Sequence, residues 1–246
     1  MVVRLLILCG AAVFLSACQA QSVPDRFRAT GEVIAFSGGK GGAANACVTC
    51  HGLKGEGDGR EAPRLAGLDA GYLHRQLDDY ASGRRDHKMM REVALRLDGE
   101  DRAKVSSYYA SLPAPPAPAA AATVSKVGDD LYFRGDPARG LQPCAVCHGG
   151  RGEGVGPGNP PLAGQPAGYL ERQLVAWRDS DRRGDGMNEM LAISRRLAPD
   201  ELRPVAARAA ALPGLRPPEA PAASPEARRA DPRNGASAPP RHASAP

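Results

Sequence analysis

Cys47-Val48-Thr49-Cys50-His51 and Cys144-Ala145-Val146-Cys147-His148 are the two stretches that decide how this chain is organised. Six cysteines would ordinarily suggest a disulfide framework. Cys9, however, falls within an N-terminal apolar run and Cys18 directly follows it, so the remaining four thiols all lie in these two pentapeptides. C-x-x-C-H is the pattern of covalent haem c (heme) attachment. Two thiols at this spacing add across the two vinyl groups of one haem, and the same turn delivers the adjacent imidazole to the iron. A lone copy would also suit a redox dithiol or half of a zinc site. Two copies, each followed by His and with no further ligand pairs for zinc, favour two haems.

The motif is part of a longer repeat. Adding 97 to a residue of the first half lands on its like in the second: Pro63 on Pro160, Leu65-Ala66-Gly67 on Leu162-Ala163-Gly164, Gly71-Tyr72-Leu73 on Gly168-Tyr169-Leu170, Gln76-Leu77 on Gln173-Leu174, and Tyr80 on Trp177. Further on the offset becomes 100, pairing Met90 with Met190, Val93 with Ile193, Arg96-Leu97 with Arg196-Leu197 and Leu112-Pro113 with Leu212-Pro213. The chain is a duplicated domain, with three residues inserted near positions 178 to 189.

The repeat also selects the second axial ligand of each iron. Met89, Met90, His74 and His87 are the candidates in the first half, and Met187 and Met190 in the second. Only Met90 and Met190 agree across the repeat, 39 and 42 residues after their histidines. Met90, Val93, Ala94 and Leu97 also have the spacing of a plain core stripe, in which a methionine would be filling. With a haem to be covered at the matched place in both halves, ligation is the favoured reading. His74 and His87 read as solvated surface residues, His87 being the competitor for the iron. Pro63 and Pro160 each follow the haem histidine by 12 residues. Their carbonyls are expected to accept the imidazole Nδ1 proton and hold the ring; the alternative is a proline that merely ends a loop.

Length and composition fit this picture. The 246 residues leave room for one large or two small domains. Aromatics are only 4% against 29 Gly and 23 Pro, so an apolar macrocycle at the centre of each domain would replace the missing bulk. The formal charge of +5 is spread thinly: +1 over residues 1–18, +1 over 24–112, +1 over 123–212 and +2 over 213–246. No basic patch and no recognition motif accompany it, which excludes nucleic acid as a partner.

The expected fold is all-α, two tandem domains at 24–112 and 124–212 related by internal duplication. Each has a helix before C-x-x-C-H, a long loop, a middle helix near 71–81 or its repeat, the methionine segment and a terminal helix. Asp98 and the Pro199-Asp200-Glu201 stretch start the terminal helices, and Pro113 and Pro213 end them. Gly38 to Gly42, Gly55 to Gly59 and Gly149 to Gly158 read as loops. Residues 113–123 form a Pro/Ala linker, and 213–246, with 9 prolines and five arginines, a disordered tail.

The N-terminus reads as an export signal. Arg4 is followed by 13 mainly apolar residues, Leu5 to Ala17, shorter than the roughly 20 that span a bilayer. Leu15-Ser16-Ala17-Cys18 resembles a lipobox, which implies cleavage of residues 1–17 before a lipidated Cys18, a periplasmic location and a membrane tether through the lipid anchor. Cleavage slightly later would release a soluble protein instead.

Taken together, these residues resemble the dihaem cytochrome c4 family. The resemblance rests on the two Cys-x-x-Cys-His-Gly sites, the Gly-Tyr-Leu-x-Arg-Gln-Leu segments ending at 77 and 174, Met90 and Met190, and Tyr-Tyr-Ala-Ser-Leu at 108–112. It implies two tandem class I cytochrome c domains related by a pseudo-twofold, their haems facing one another near the interface. It further implies electron shuttling from a quinol-oxidising complex or dehydrogenase to a terminal oxidase or reductase, with no catalysis by this chain. A cytochrome subunit of a periplasmic dehydrogenase and a dihaem peroxidase-like enzyme are the other readings. The anchor and the long tail depart from the family pattern.

Overall fold

Gly31 and Gly128 stand 97 residues apart, and each lies where two helices cross with their backbones in contact. A Cβ added to Gly31 would lie 2.0 Å from the Lys104 carbonyl oxygen, and one on Gly128 would lie 2.3 Å from that of Pro204. These crossings close two helical domains in the computed structural model, which describes residues 30–115 and 124–215. The proposed signal, Cys18, most of the linker and nearly all of the tail lie outside the described residues.

In the first domain α1 (Gly31–Ser37), α2 (Val48–His51), α3 (Ala70–Ser82), α4 (Lys88–Leu95) and α5 (Gly99–Ser111) follow in order. The second repeats them as α6 (Lys126–Phe133), α7 (Ala145–His148), α8 (Ala167–Arg178), α9 (Glu189–Arg196) and α10 (Pro199–Ala210). No strand occurs among the described residues, only isolated bridges. The boundaries follow from capping chemistry. Thr30, Asp69 and Asp98 accept backbone N–H groups at the starts of α1, α3 and α5, and Gly38 and Gly83, in the left-handed region, end α1 and α3. In α10 Pro199 takes the first turn, and the Glu201 carboxylate accepts the Ala198 N–H at 2.7 Å.

α5 packs on α1 and α3, and α3 on α4; α10 packs on α6 and α8, and α8 on α9. Two separate cores result. One holds Ile34, Leu68, Leu73, Leu97, Val105 and Tyr109, and the other Leu131, Tyr132, Leu170, Leu197, Leu202 and Val205. The glycine stretch at 38–42 differs from a plain loop, because Gly39–Gly41 forms a 3-10 turn. The methionine segments are regular eight-residue helices, so the stripe spacing of Met90, Val93 and Ala94 is a helical face.

The domains meet along a pseudo-twofold seam. Arg85 and Arg182 form an antiparallel bridge, flanked by Asp86 N–H to Asp181 O and Arg183 N–H to Arg84 O, both 2.7 Å. Because the 97-residue offset still holds at Arg85 and Arg182, the insertion falls after Arg182, in the loop that precedes α9. Among the described residues no helix is long and apolar enough to cross a membrane.

Candidate functional site

α2 and α7 are single turns, and their shortness is what groups the motif. His51 N–H bonds the Cys47 carbonyl at 2.9 Å and His148 N–H bonds that of Cys144 at 2.9 Å, so each turn carries both thiols and the imidazole together. Gly52 and Gly149 follow at φ 80° and 82°, which lets the chain leave the turn at once. No disulfide joins any of these four cysteines. Burial pushes the Cys47 thiol up, and Cys144 up to about 11.

The loop after each turn folds back beneath its histidine. Gly57 N–H donates to His51 O at 2.8 Å and Gly154 N–H to His148 O at 2.9 Å. Asp58 Oδ1 gathers the N–H groups of Arg60, Glu61 and Ala62 within 2.9 Å. This places the Pro63 carbonyl 2.9 Å from His51 Nδ1 and the Pro160 carbonyl 2.9 Å from His148 Nδ1. A carbonyl only accepts, so each Nδ1 bears the proton and each Nε2 keeps its lone pair. The rings are 7% and 8% exposed, and burial lowers both pKa values, holding them neutral. A neutral imidazole with Nδ1 fixed by a carbonyl is the form that binds a metal.

α4 and α9 bring Met90 and Met190, both half-buried, to the walls of the same cavity as the cysteines and histidines. Met89 also reaches it but is 59% exposed, and Met187, 79% exposed, does not line it. His87 is exposed yet not idle: its Nδ1 accepts the Met90 N–H at 3.3 Å to start α4, and its ring meets Tyr80 edge-on at 6.2 Å. Asp185 does the corresponding work for Met190, accepting its N–H at 2.6 Å. His74 is apart from the site, half-exposed 3.8 Å from Asp78.

One continuous cavity of about 1440 Å³ serves both domains. It exceeds the roughly 300–1,000 Å³ of a pocket for a single small ligand. Its walls are apolar within each domain, with Leu68, Leu73 and Leu97 on one side and Leu162, Leu170 and Ile193 on the other. On its walls the buried Ser106 Oγ and Tyr109 Oη have no hydrogen-bond partner among the described residues. Apolar walls, paired thiols and a neutral imidazole in each half fit two haem c groups.

The cavity is polar where the domains meet. Arg85 and Arg182, 4% and 8% exposed, lie there with Gln76, Gln173, Tyr72 and Tyr169. Nearby, Arg64 N–H donates to Gln165 Oε1 at 3.0 Å, Gln165 Nε2 to Arg64 O at 2.9 Å, and Arg64 Nη2 to Ala163 O at 3.1 Å. The motif reading passes over these residues. Arg85 and Arg182 carry a sequence signal, since they match across the repeat; Arg64 carries none, since Pro161 stands at its counterpart.

The chain matches a family model described as cytochrome c over residues 37–113 and 140–207. It is 41% identical over 202 residues to the thiosulfate dehydrogenase electron acceptor of Stutzerimonas stutzeri (strain A1501), covering 81% of this chain and 91% of that protein. Among solved structures it is similar to the thiosulfate dehydrogenase TsdBA of Marichromatium purpuratum, with a TM-score of 0.66 and 41% identity, over 74% of this chain. The match spans only 40% of that longer chain. It is likewise similar to reduced recombinant cytochrome c4 from Pseudomonas stutzeri, with a TM-score of 0.62 and 28% identity, over 72% of this chain and 98% of that one.

Proposed function

The chain belongs to the cytochrome c family as a tandem, dihaem electron-transfer protein of the cytochrome c4 type, and from that premise we propose that it is the periplasmic electron acceptor of a thiosulfate-oxidising dehydrogenase. It hands single electrons on to a terminal oxidase or reductase and catalyses no reaction of its own. The observation that carries this reading is the 41% identity, across 91% of its length, to a protein named as that acceptor. Export by the N-terminal signal, with a lipid on Cys18, would keep it at the membrane where donor and oxidase meet.

Haem c, when bound, supplies a one-electron iron couple. The chain's own residues do the rest. Cys47 with Cys50, and Cys144 with Cys147, fix each group covalently. His51 and His148 would offer Nε2 to the metal, with the rings held by the Pro63 and Pro160 carbonyls. Met90 and Met190, which line the same cavity, would supply a thioether to the metal, a ligand that favours the reduced state and raises the potential. A metal held by both His and Met would offer no position to a substrate, so outer-sphere electron transfer would be the chemistry left. This argues against a peroxidase-like enzyme.

The test mixes the oxidised holoprotein with thiosulfate and catalytic amounts of a thiosulfate dehydrogenase, following the reduced haem band by stopped flow. Rapid reduction of both haems is expected. Slow reduction under those conditions, with rapid reduction by a quinol-oxidising complex, would overturn the assignment and leave a general cytochrome c4-type carrier.

A further inference from the structure

Among the described residues, the two cations buried at the domain seam have no anion. Arg85 Nη1 donates to Gln76 Oε1 at 2.9 Å, and its Nη2 to Tyr169 Oη at 2.9 Å and Gln173 Oε1 at 2.5 Å. Arg182 mirrors it, with Nη1 to Gln173 Oε1 at 3.0 Å and Nη2 to Gln76 Oε1 at 2.9 Å and Tyr72 Oη at 3.2 Å. Each guanidinium also lies over an aromatic ring, Arg85 4.6 Å from the centre of Tyr80 and Arg182 4.8 Å from that of Trp177. All these partners are neutral. Among the described residues neither arginine makes an ion pair, and Asp79, the buried carboxylate on α3, is taken by Arg84 at 2.7 Å.

Guanidinium stays protonated in proteins, so two positive charges sit side by side out of water. Neutral acceptors return little of what it costs to desolvate them; a buried charge is normally paired. Both arginines line the shared cavity, at the part of its wall that is polar rather than apolar. The only charged substituents of haem c are its two propionates, and a planar guanidinium fork matches a carboxylate in both geometry and charge.

We propose that Arg85 and Arg182 form a shared cationic seat for haem propionates from both domains, so that each arginine sets the potential of both haems and not only that of its own domain. The proposal rests on the dihaem reading. Its distinctive part is the crossing of the hydrogen bonds. Arg85 leaves the first domain and takes two of its three acceptors, Tyr169 and Gln173, from the second; Arg182 leaves the second and takes Gln76 and Tyr72 from the first. Each charge is therefore held at the seam between the two domains, bonded to both. A second matched pair, Arg75 and Arg172, straps the domains from outside. Arg75 bonds the Pro157 carbonyl, and Arg172 reaches Glu61 O at 3.2 Å. Both are exposed, so their charges are screened by water and contribute far less to the seat.

The test compares R85Q, R182Q, R85K, R182K and Y169F holoproteins by redox titration with each haem resolved by NMR, after mass spectrometry has counted the attached haems. Loss of a positive charge stabilises the oxidised iron. Each Gln variant is expected to shift both reduction equilibria about tenfold toward the oxidised form, which is about 59 mV for one electron. The Lys variants retain the charge and should move both potentials much less, and Y169F, which removes only a neutral partner, should leave them nearly in place. A Gln shift confined to the mutated domain, or equal potentials in Gln and Lys variants, would overturn the proposal. If a Gln variant fails to mature, a Lys variant with wild-type potentials together with an unmoved Y169F supports it, and a Lys variant that lowers one haem alone overturns it. Fewer than two haems on the unmutated protein would sink the dihaem reading itself, a distinct outcome.

Discussion

Tyr109 of α5 and Tyr132 of α6 lie beside the first cysteine of their respective attachment turns, yet they come from helices that do not correspond. Tyr132 matches Ala35 in the repeat, and Tyr109 matches Ala209. All four are buried, at 2% and 0% exposure for the tyrosines and 0% and 3% for the alanines. The ring was thus exchanged across the helix crossing while the pair's volume was kept. Burial pushes both phenols far above their usual range. Tyr132 finds a partner in the Gly149 carbonyl at 2.8 Å, whereas the Tyr109 hydroxyl has none among the described residues.

The exchange predicts non-additive energetics. Y132A should destabilise the second domain by about 3–5 kcal/mol, the range for removing a large aromatic from a core. A35Y alone should overpack the first domain by about 1–3 kcal/mol, and Y109A alone should leave a cavity. In the A35Y/Y109A double variant the two defects should offset by more than ~1 kcal/mol, in line with residues that share one space. Urea unfolding of the four proteins, read through the haem absorbance, checks this; strictly additive losses would show that the rings occupy different places.

Ligation separates the methionines. M90A and M190A should each remove one of two methionine–iron signatures in magnetic circular dichroism, and M89A should remove neither. H87A is the informative control. His87 reaches the cavity but spends Nδ1 on the Met90 N–H, so its loss should weaken the start of α4 by about 1 kcal/mol, as other cap removals do. The signature should persist. If the unmutated protein shows only one methionine signature, or if both survive in M90A, the first iron is not held by Met90.

What the sequence made legible was set by repetition. The attachment turns, Pro63 with Pro160, and the helices carrying Met90 and Met190 were readable because covalent chemistry and a fixed offset leave few alternatives. The seam was harder. Arg85 and Gln76 look like ordinary surface residues of a helix and its exit, yet their hydrogen bonds cross to Tyr169, Gln173 and Arg182 of the second domain. Arg64 was out of reach altogether, because its partner Gln165 is 101 residues away and matches Leu68 in the repeat. The exchange of Tyr109 for Tyr132 was likewise hidden, since at each position the repeat shows only a mismatch.

Helix crossing at glycine predicts a matched pair of failures. G31A and G128A would place a methyl group 2.0 Å and 2.3 Å from backbone carbonyl oxygens that belong to rigid helices and have no room to yield. Each substitution should separate its crossing and cost about 1–3 kcal/mol, as overpacking does. G99A is the control, since nothing lies within 4 Å of its Cβ position and the residue is helical. It should be neutral or slightly stabilising. Thermal unfolding of the three variants distinguishes steric conflict from helix propensity, which favours alanine at all three sites.

Gln165 is an interdomain clamp whose loss should be felt in docking. Its amide satisfies both the N–H and the carbonyl of Arg64, at 3.0 and 2.9 Å, in a place closed to water. Q165A leaves two buried backbone groups unpaired, at about 1–3 kcal/mol each. Amide exchange of the Arg64 N–H should speed up in Q165A while that of α5 in the same domain stays slow. Equal acceleration throughout the first domain would mean that the clamp stabilises the domain rather than its docking.

Acid sensitivity should be uneven between the domains. Glu201 holds Arg139 through both carboxylate oxygens at 2.9 Å and also accepts the Ala198 N–H, tying the turn before the second attachment site to α10. Arg139 first, then the backbone N–H, hold its carboxyl below the usual range. A depressed native pKa means that the unfolded chain binds the proton more readily, so the contribution is complete above the unfolded value of about 4.3 and fades as pH falls through the native one. E201Q should therefore lower the second domain's urea midpoint at pH 7 and converge with the unmutated protein near pH 3. Lys40 and Asp98 in the first domain, with side chains 70% and 52% exposed, form a pair that water already screens. K40A should shift nothing measurable at pH 7, and an effect as large as that of E201Q would show that pairing at the surface, not burial and helix capping, is what matters.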